Sequence, residues 1–243
     1  MTNHLHMLPI YYINLNRCDT RNKHMLDLFK SNKIDNFTRI DAYDGEIINN
    51  YTDITVLEDD NVRKISTFQQ CCILSHLKTI KTAYDNNDNM AIIVEDDLSM
   101  DYRNKWNHLF DINNSQNIIK NAPDDWEILK LHCCYPKYVN ILIKRDRKNL
   151  CKYQKWDERS FSALFYIINR TGMKKILDKY LINDKFTIYN NHENVSDILI
   201  FRYLNTYDYT QPIFNVAINQ KSNIGTPLTL FEESNELIKK YYK

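Results

Sequence analysis

The chain has 243 residues, with 32 Lys and Arg against 31 Asp and Glu, a net charge of +1. That balance argues against a dedicated nucleic-acid binder, whose phosphate contacts need a basic surplus. A hydrophobic content of 43% with 12% aromatics excludes wholesale disorder and supplies a core for one α/β domain over residues 1–243.

Gly45, Gly172 and Gly225 are the only glycines, too far apart for either glycine-rich phosphate loop. No apolar run reaches the 18 residues of a membrane span. The opening Met1–Leu15 lacks a basic leader, so a cytoplasmic protein is expected. Without export, the N-x-[ST] matches at Asn36, Asn50, Asn113, Asn169 and Asn194 read as chance. Cys18, Cys71, Cys72, Cys133, Cys134 and Cys151 show no C-x-x-C spacing and read as reduced, small apolar residues.

Along the chain, Pro9–Leu15 reads as a buried strand. Asp19 and Thr20 then offer caps for a helix to about Lys33, with Met25, Leu26, Leu28 and Phe29 inward. Phe37–Asp41 reads as a strand and Asp44-Gly45 as its turn; residues 46–64, polar and aperiodic with Glu58-Asp59-Asp60, read as a long loop. Ser66 with Gln69 forms a capping box for a helix striped by Ile73, Leu77, Ile80 and Tyr84, ended by Asn86–Asn89. Met90–Val94 is apolar without alternation, as in a central parallel strand covered on both faces.

Trp126–Leu131, Val139–Ile143, Phe161–Asn169 and Ile213–Ile218 read as further strands. Thr171 is read as the cap of a helix with Met173, Ile176, Leu177 and Tyr180 inward. Ser196 is read as the cap of another to about Asn205, and Phe231–Lys243 as a terminal helix. Alternation of this kind predicts a mostly parallel sheet between helices.

The sharpest chemical feature is Glu95-Asp96-Asp97, directly after the central strand. Ligands of open α/β sheets bind beyond the carboxyl ends of strands. A period of two sends Glu95 and Asp97 to one side and Asp96 to the other. Paired hard oxygens suit Mg²⁺ or Mn²⁺; the rival reading is a solvated acidic loop. His76 lies at the border of its helix's apolar stripe, where a purely structural role competes with a functional one. Arg17 and Arg21, after the first strand, would meet a diphosphate or simply be solvated.

Taken in order, these segments resemble glycosyltransferase family 25. The likeness rests on Tyr12–Arg21, Arg39–Gly45, Cys72-Ile73-Leu74-Ser75-His76, Ile93–Asp97, Asp125–Leu129, Ala163–Met173 and a terminal Ser222-Asn223-Ile224. Departures are Phe165 ahead of the expected aromatic, Met173 in place of Ala and Asn223 in place of Asp. The resemblance implies a GT-A fold with a Rossmann-like, mostly parallel sheet and helices on both faces. It also implies a UDP-sugar donor (galactose or glucose), a Mn²⁺ or Mg²⁺ cofactor, and inversion at the anomeric carbon. The implied acceptor is a glycan, a lipid-linked sugar or a collagen-like hydroxylysine.

Under that resemblance Asn14, Leu15, Arg17, Arg21, Asp41, Ser75, His76, Glu95 and Asp96 would surround the donor. Glu95, Asp97 and His192 would hold the metal, with His132 competing for the third position. Asp197 would be the general base that an inverting displacement needs; its rival role is a helix-N-terminal acid. A viral member would work in the host cytoplasm or the virion. Two other classes compete. A receiver-type signalling domain lacks its phosphorylatable Asp here, whereas a degenerate GT-A binding module would keep the fold and lose catalysis.

Overall fold

The structure is a computed structural model that describes residues 8–58, 62–111, 113–150, 152–192, 195–217 and 228–243. In chain order, the first half runs β1 (Ile10–Asn14), α1 (Asp19–Ser31), β2 (Phe37–Asp41), β3 (Ile54–Glu58), α2 (Thr67–Asp85), β4 (Met90–Glu95), β5 (Leu98–Ser99) and α3 (Arg103–Trp106). The second half runs β6 (Ile128–Lys130), α4 (Pro136–Arg147), β7 (Tyr153–Lys155), β8 (Phe165–Asn169), α5 (Arg170–Tyr180), β9 (Leu181–Ile182) and β10 (Lys185–Asn190). It closes with α6 (Ser196–Arg202), β11 (Thr206–Tyr209), β12 (Asn215–Val216) and α7 (Leu228–Tyr242).

A seven-stranded sheet of order β2-β1-β4-β8-β6-β11-β7 forms the middle layer. β1 is parallel to β2 and β4, and β6 to β11; β8 is antiparallel to both of its neighbours, and β7 to β11. The sheet is therefore mixed but largely parallel, as expected. Alternation sorts its side chains into two cores. Tyr11, Ile13, Ala91, Ile93, Tyr166 and Ile168 face α2 and α5. Ile10, Tyr12, Ile92, Val94, Phe165 and Ile167 face α1, where they meet Met25 and Phe29. Both faces of β4 are covered, which is why Met90–Val94 is uniformly apolar.

Several local expectations hold. Ser66 and Gln69 form the reciprocal capping box of α2, and Met173, Ile176, Leu177 and Tyr180 are buried on α5. Others need correction. Val139–Ile143 is helical: Pro136 starts α4, and Tyr138, Val139, Leu142 and Ile143 share the stripe packed against Ile238 of α7. The segment 46–64 contains β3, which pairs in parallel with β10. The cap of α5 is Asn169, whose side chain accepts from the Gly172 N–H, and the cap of α6 is Val195. Leu26 is exposed on α1. The strand expected at Phe161–Asn169 begins only at Phe165, and the last one shrinks to Asn215–Val216. Ser222-Asn223-Ile224 lies outside the described residues.

Candidate active site

The parallel strands β1, β2 and β4 all end at one edge of the sheet. Because β8 runs the other way, its entry lies at the same edge, and the Glu95 N–H donates to the Leu164 carbonyl at 3.0 Å. Crossovers leave this edge open, so the chain's polar residues collect there. The acidic turn is fixed from behind: β5 pairs with β12, and the Ala217 N–H donates to the Asp97 carbonyl at 2.7 Å.

Alternation along β4 continues into the acids. Glu95 follows Ile93 toward α2, where its Oε1 lies 3.2 Å from His76 Nε2 and 3.8 Å from Cys72 Sγ. Asp96 turns toward α1 and is gripped by Arg21 Nη1 and by Asn14 Nδ2, the latter at 2.7 Å. Arg39 Nε in turn donates to Asn14 Oδ1 at 2.9 Å. Past the strand end the alternation relaxes, and Asp97 Oδ2 reaches Arg21 Nη2 at 3.3 Å. Its other oxygen, Oδ1, is buried and meets no hydrogen-bond donor among the described residues. Burial and the neighbouring Glu95 charge push the Asp97 carboxyl up, against the pull of Arg21.

Two cavities meet at this wall, each with about 750 Å³ of open space. Glu95, Asp97, Cys72 and Phe231 border both. The first is closed by Leu15, Arg21, Tyr43, Gly45, Ser75 and His76. Ser75 Oγ accepts the Tyr43 N–H at 2.9 Å and so fixes the chain after β2. A Cβ on Gly45 would come within 2.8 Å of Phe68, which accounts for glycine there. The second cavity is bordered by Gln69, Cys134, Ser162, Ala163, Ser196 and Asp197. Desolvation, reinforced by Glu95, raises the Asp197 carboxyl to about 6, while Lys130, His76 and the Ala163 N–H act in the opposite direction.

The expected site residues thus separate into three groups. Leu15, Arg21, Ser75, His76, Glu95, Asp96, Asp97 and Asp197 border the cavities. Asn14 lies one layer behind, orienting Asp96. Arg17, Asp41 and His192 border neither. Arg17 pairs at the surface with Asp44 at 2.5 Å and Glu46 at 3.1 Å, Asp41 is exposed with its carbonyl bound by Lys78, and exposed His192 bonds through its backbone to Arg63. His132 borders a separate small cavity and donates or accepts at Ser162 Oγ, 2.7 Å away. Burial holds its pKa down to about 3, so it is neutral.

Sequence reasoning missed Cys72, which comes together with His76 and Glu95. The signal was the i, i+4 spacing of Cys72 and His76, which puts both on one helix face. It also missed Lys130, which borders the small cavity of His132. The Lys130 ammonium is buried, donates to the carbonyls of Ser160 (2.6 Å) and His132 (3.0 Å), and lies 3.8 Å from Asp208. A lysine inside an apolar strand was the sign of it.

An α/β sheet whose carboxyl edge carries an acidic turn between two cavities has the ligand-binding edge of an open α/β protein. The model of glycosyltransferase family 25 (LPS biosynthesis protein) matches residues 7–189, and the chain belongs to that family. The mixed, largely parallel sheet agrees with the GT-A fold that membership implies. No curated sequence matches the chain. The solved structures similar at low identity include two that the chain covers almost end to end. "A197 from STIV" shares 8% identity, with 91% of this chain and 98% of that one covered and a TM-score of 0.36. A glycosyltransferase "involved in the glycosylation of the major capsid of PBCV-1" shares 7%, with 95% and 98% covered and a TM-score of 0.35. No helix of the described residues is long and apolar enough to cross a membrane.

Proposed function

We propose that this family 25 glycosyltransferase is a metal-dependent, inverting hexosyltransferase that moves galactose or glucose from a UDP-sugar to an acceptor hydroxyl. One observation carries the reading: Glu95 and Asp97 border both cavities, with Asp197 in the second. The first cavity suits the donor. Leu15 and Tyr43 offer apolar surface, and Arg21 offers the charge, although much of that charge is already met by Asp96 and Asp97.

The residues fit a divalent cation. Asp97 Oδ1 is a buried lone-pair donor with no proton to meet among the described residues, and Glu95 stands beside it at the cavity wall. Asp97 with Glu95 would hold Mn²⁺ or Mg²⁺, which when bound supplies Lewis-acid stabilisation to the departing diphosphate. Asp197 takes the proton of the acceptor hydroxyl. A carboxylate raised to about 6 is still ionised at neutral pH and is a stronger base than an exposed one. The acceptor, a glycan, a lipid-linked sugar or a collagen-like hydroxylysine, would enter the second cavity.

The test is a panel of UDP- and GDP-sugars assayed for Mn²⁺-dependent hydrolysis and thermal stabilisation. A melting shift that needs both the metal and one sugar nucleotide identifies the donor, because a ligand of the native state raises stability by mass action. Asp97→Ala should abolish both responses. A flat response to every donor, or unchanged turnover in Asp97→Ala, overturns the reading; binding without turnover would leave a degenerate binding module.

A further inference from the structure

We propose that Cys72, His76 and Glu95 form an alternative cation site, selective for a thiophilic divalent ion of the zinc class, that shares Glu95 with the hard-oxygen position at Asp97. The three donor atoms, one from each side chain, lie within 4.8 Å of one another. His76 Nε2 and Glu95 Oε1 are 3.2 Å apart, and Cys72 Sγ and Glu95 Oε1 are 3.8 Å apart. Zinc bonds of 2.0–2.3 Å in a tetrahedron require ligand separations of roughly 3.3–3.6 Å, so small side-chain adjustments suffice.

The surroundings are those of a metal-binding imidazole. His76 is fully buried, and its other nitrogen, Nδ1, lies 3.1 Å from the Tyr166 hydroxyl. Without an ion the Nε2–H donates to Glu95; with an ion bound, the proton would sit on Nδ1, directed at the Tyr166 oxygen, leaving the Nε2 lone pair for the metal. Such an outer partner fixes ring and tautomer in known metal sites. Three protein ligands leave a fourth position toward the cavities, both of which Cys72 and Glu95 border. A thiol and an imidazole favour zinc or cobalt over magnesium or manganese.

Binding replaces the Cys72 thiol proton, so one proton is released per ion. The ion also engages Glu95, the carboxylate shared with the proposed donor metal. Zinc and Mn²⁺ therefore compete, and zinc acts as an inhibitor of any Mn²⁺-dependent activity.

The experiment is a titration of the metal-free 243-residue chain with Co²⁺, read by absorption. We expect one cobalt per chain with a thiolate-to-cobalt charge-transfer band that zinc abolishes. Cys72→Ser should remove the band and Cys71→Ser should keep it. His76→Gln should weaken binding at least about tenfold. Should Cys72→Ser fail to fold, zinc protection of the wild-type protein from alkylation, mapped by mass spectrometry, replaces it: Cys72 should be protected and Cys18 not. Absence of the band, its survival in Cys72→Ser, or equal alkylation of Cys72 with and without zinc overturns the proposal. None of these readings requires a sugar donor, so they stand or fall separately from the transferase assay.

Discussion

Burial raises the carboxyl of an aspartate beside each cavity, but the two are held by different partners. On the first side Asp96 faces α1, where Arg21 and Asn14 oppose the desolvation that burial imposes without fully offsetting it, so its carboxyl stays above the ordinary value. On the second side Asp197 receives one backbone N–H, from Ala163, and faces the added repulsion of Glu95. The first arrangement makes a rigid, charge-matched wall. The second leaves a carboxylate whose proton affinity is raised to about 6. The difference is between a group that holds structure and a group kept ready to accept a proton.

The largest effect should come from removing that readiness. Asp197→Asn keeps shape and hydrogen bonding but has no basic oxygen, so kcat should fall roughly 10²–10⁴-fold. Stability should move the other way. The folded pKa lies above the ordinary 3.8, so the native state binds this proton more tightly than the unfolded chain. Stability from this group is therefore complete below about 4 and is lost as pH rises through about 6. The Asn variant escapes that loss, gaining at most about 3 kcal/mol at pH 7 at about 1.4 kcal/mol per pKa unit, and nothing at pH 4. Urea melts at the two pH values check the sign; a variant less stable at pH 7 would assign Asp197 to structure.

On the opposite wall the same logic predicts damage. Arg21→Met leaves Asp96 buried without its cation, which should cost roughly 3–5 kcal/mol at neutral pH. Asp96→Asn in the same background should restore part of it, since the uncompensated charge is gone. Urea midpoints of the single and double variants measure this coupling; strict additivity would show that the pair is not what holds the wall.

A smaller effect is the acid limb of the activity profile. Transfer should rise about tenfold per pH unit until about pH 6 and then level, as Asp197 ionises. Since Glu95 helps to raise that pKa, Glu95→Gln should move the limb to lower pH in whatever activity remains. A limb that stays in place would separate the two carboxylates.

How much of this was legible follows from the same two halves. β1 and β4 are short, mostly apolar runs with turn chemistry at their ends, and Glu95-Asp96-Asp97 is contiguous, so strand and acids were visible together. The second half hides its logic in distant partners. β3 exists because β10 pairs with it, over a hundred residues later. β11 carries the buried Asp208, a polar residue that breaks a strand pattern unless Lys130 of the adjacent β6 is known to face it. α4 was misread because Val139 and Ile143 are β-branched, although Pro136 and the four-residue spacing favoured a helix. Asp197 was visible as an acid near a helix start; that Glu95 would face it was not.

The smallest predicted change tests whether the dividing wall acts as one body. Cys72, Ser75 and His76 all lie in the first half of α2, whose N-cap is Ser66. Ser66 Oγ accepts the Gln69 N–H at 3.3 Å, and the Gln69 side chain accepts the Ser66 N–H at 3.0 Å. Ser66→Ala removes half of that box and should cost about 1 kcal/mol. Ten buried residues anchor the helix further along, so the wall itself should not shift. The expected result is a lower urea midpoint with kcat and donor KM unchanged. Loss of activity in proportion to stability would mean that the first turns of α2 open locally, and that the partition between the cavities depends on its cap.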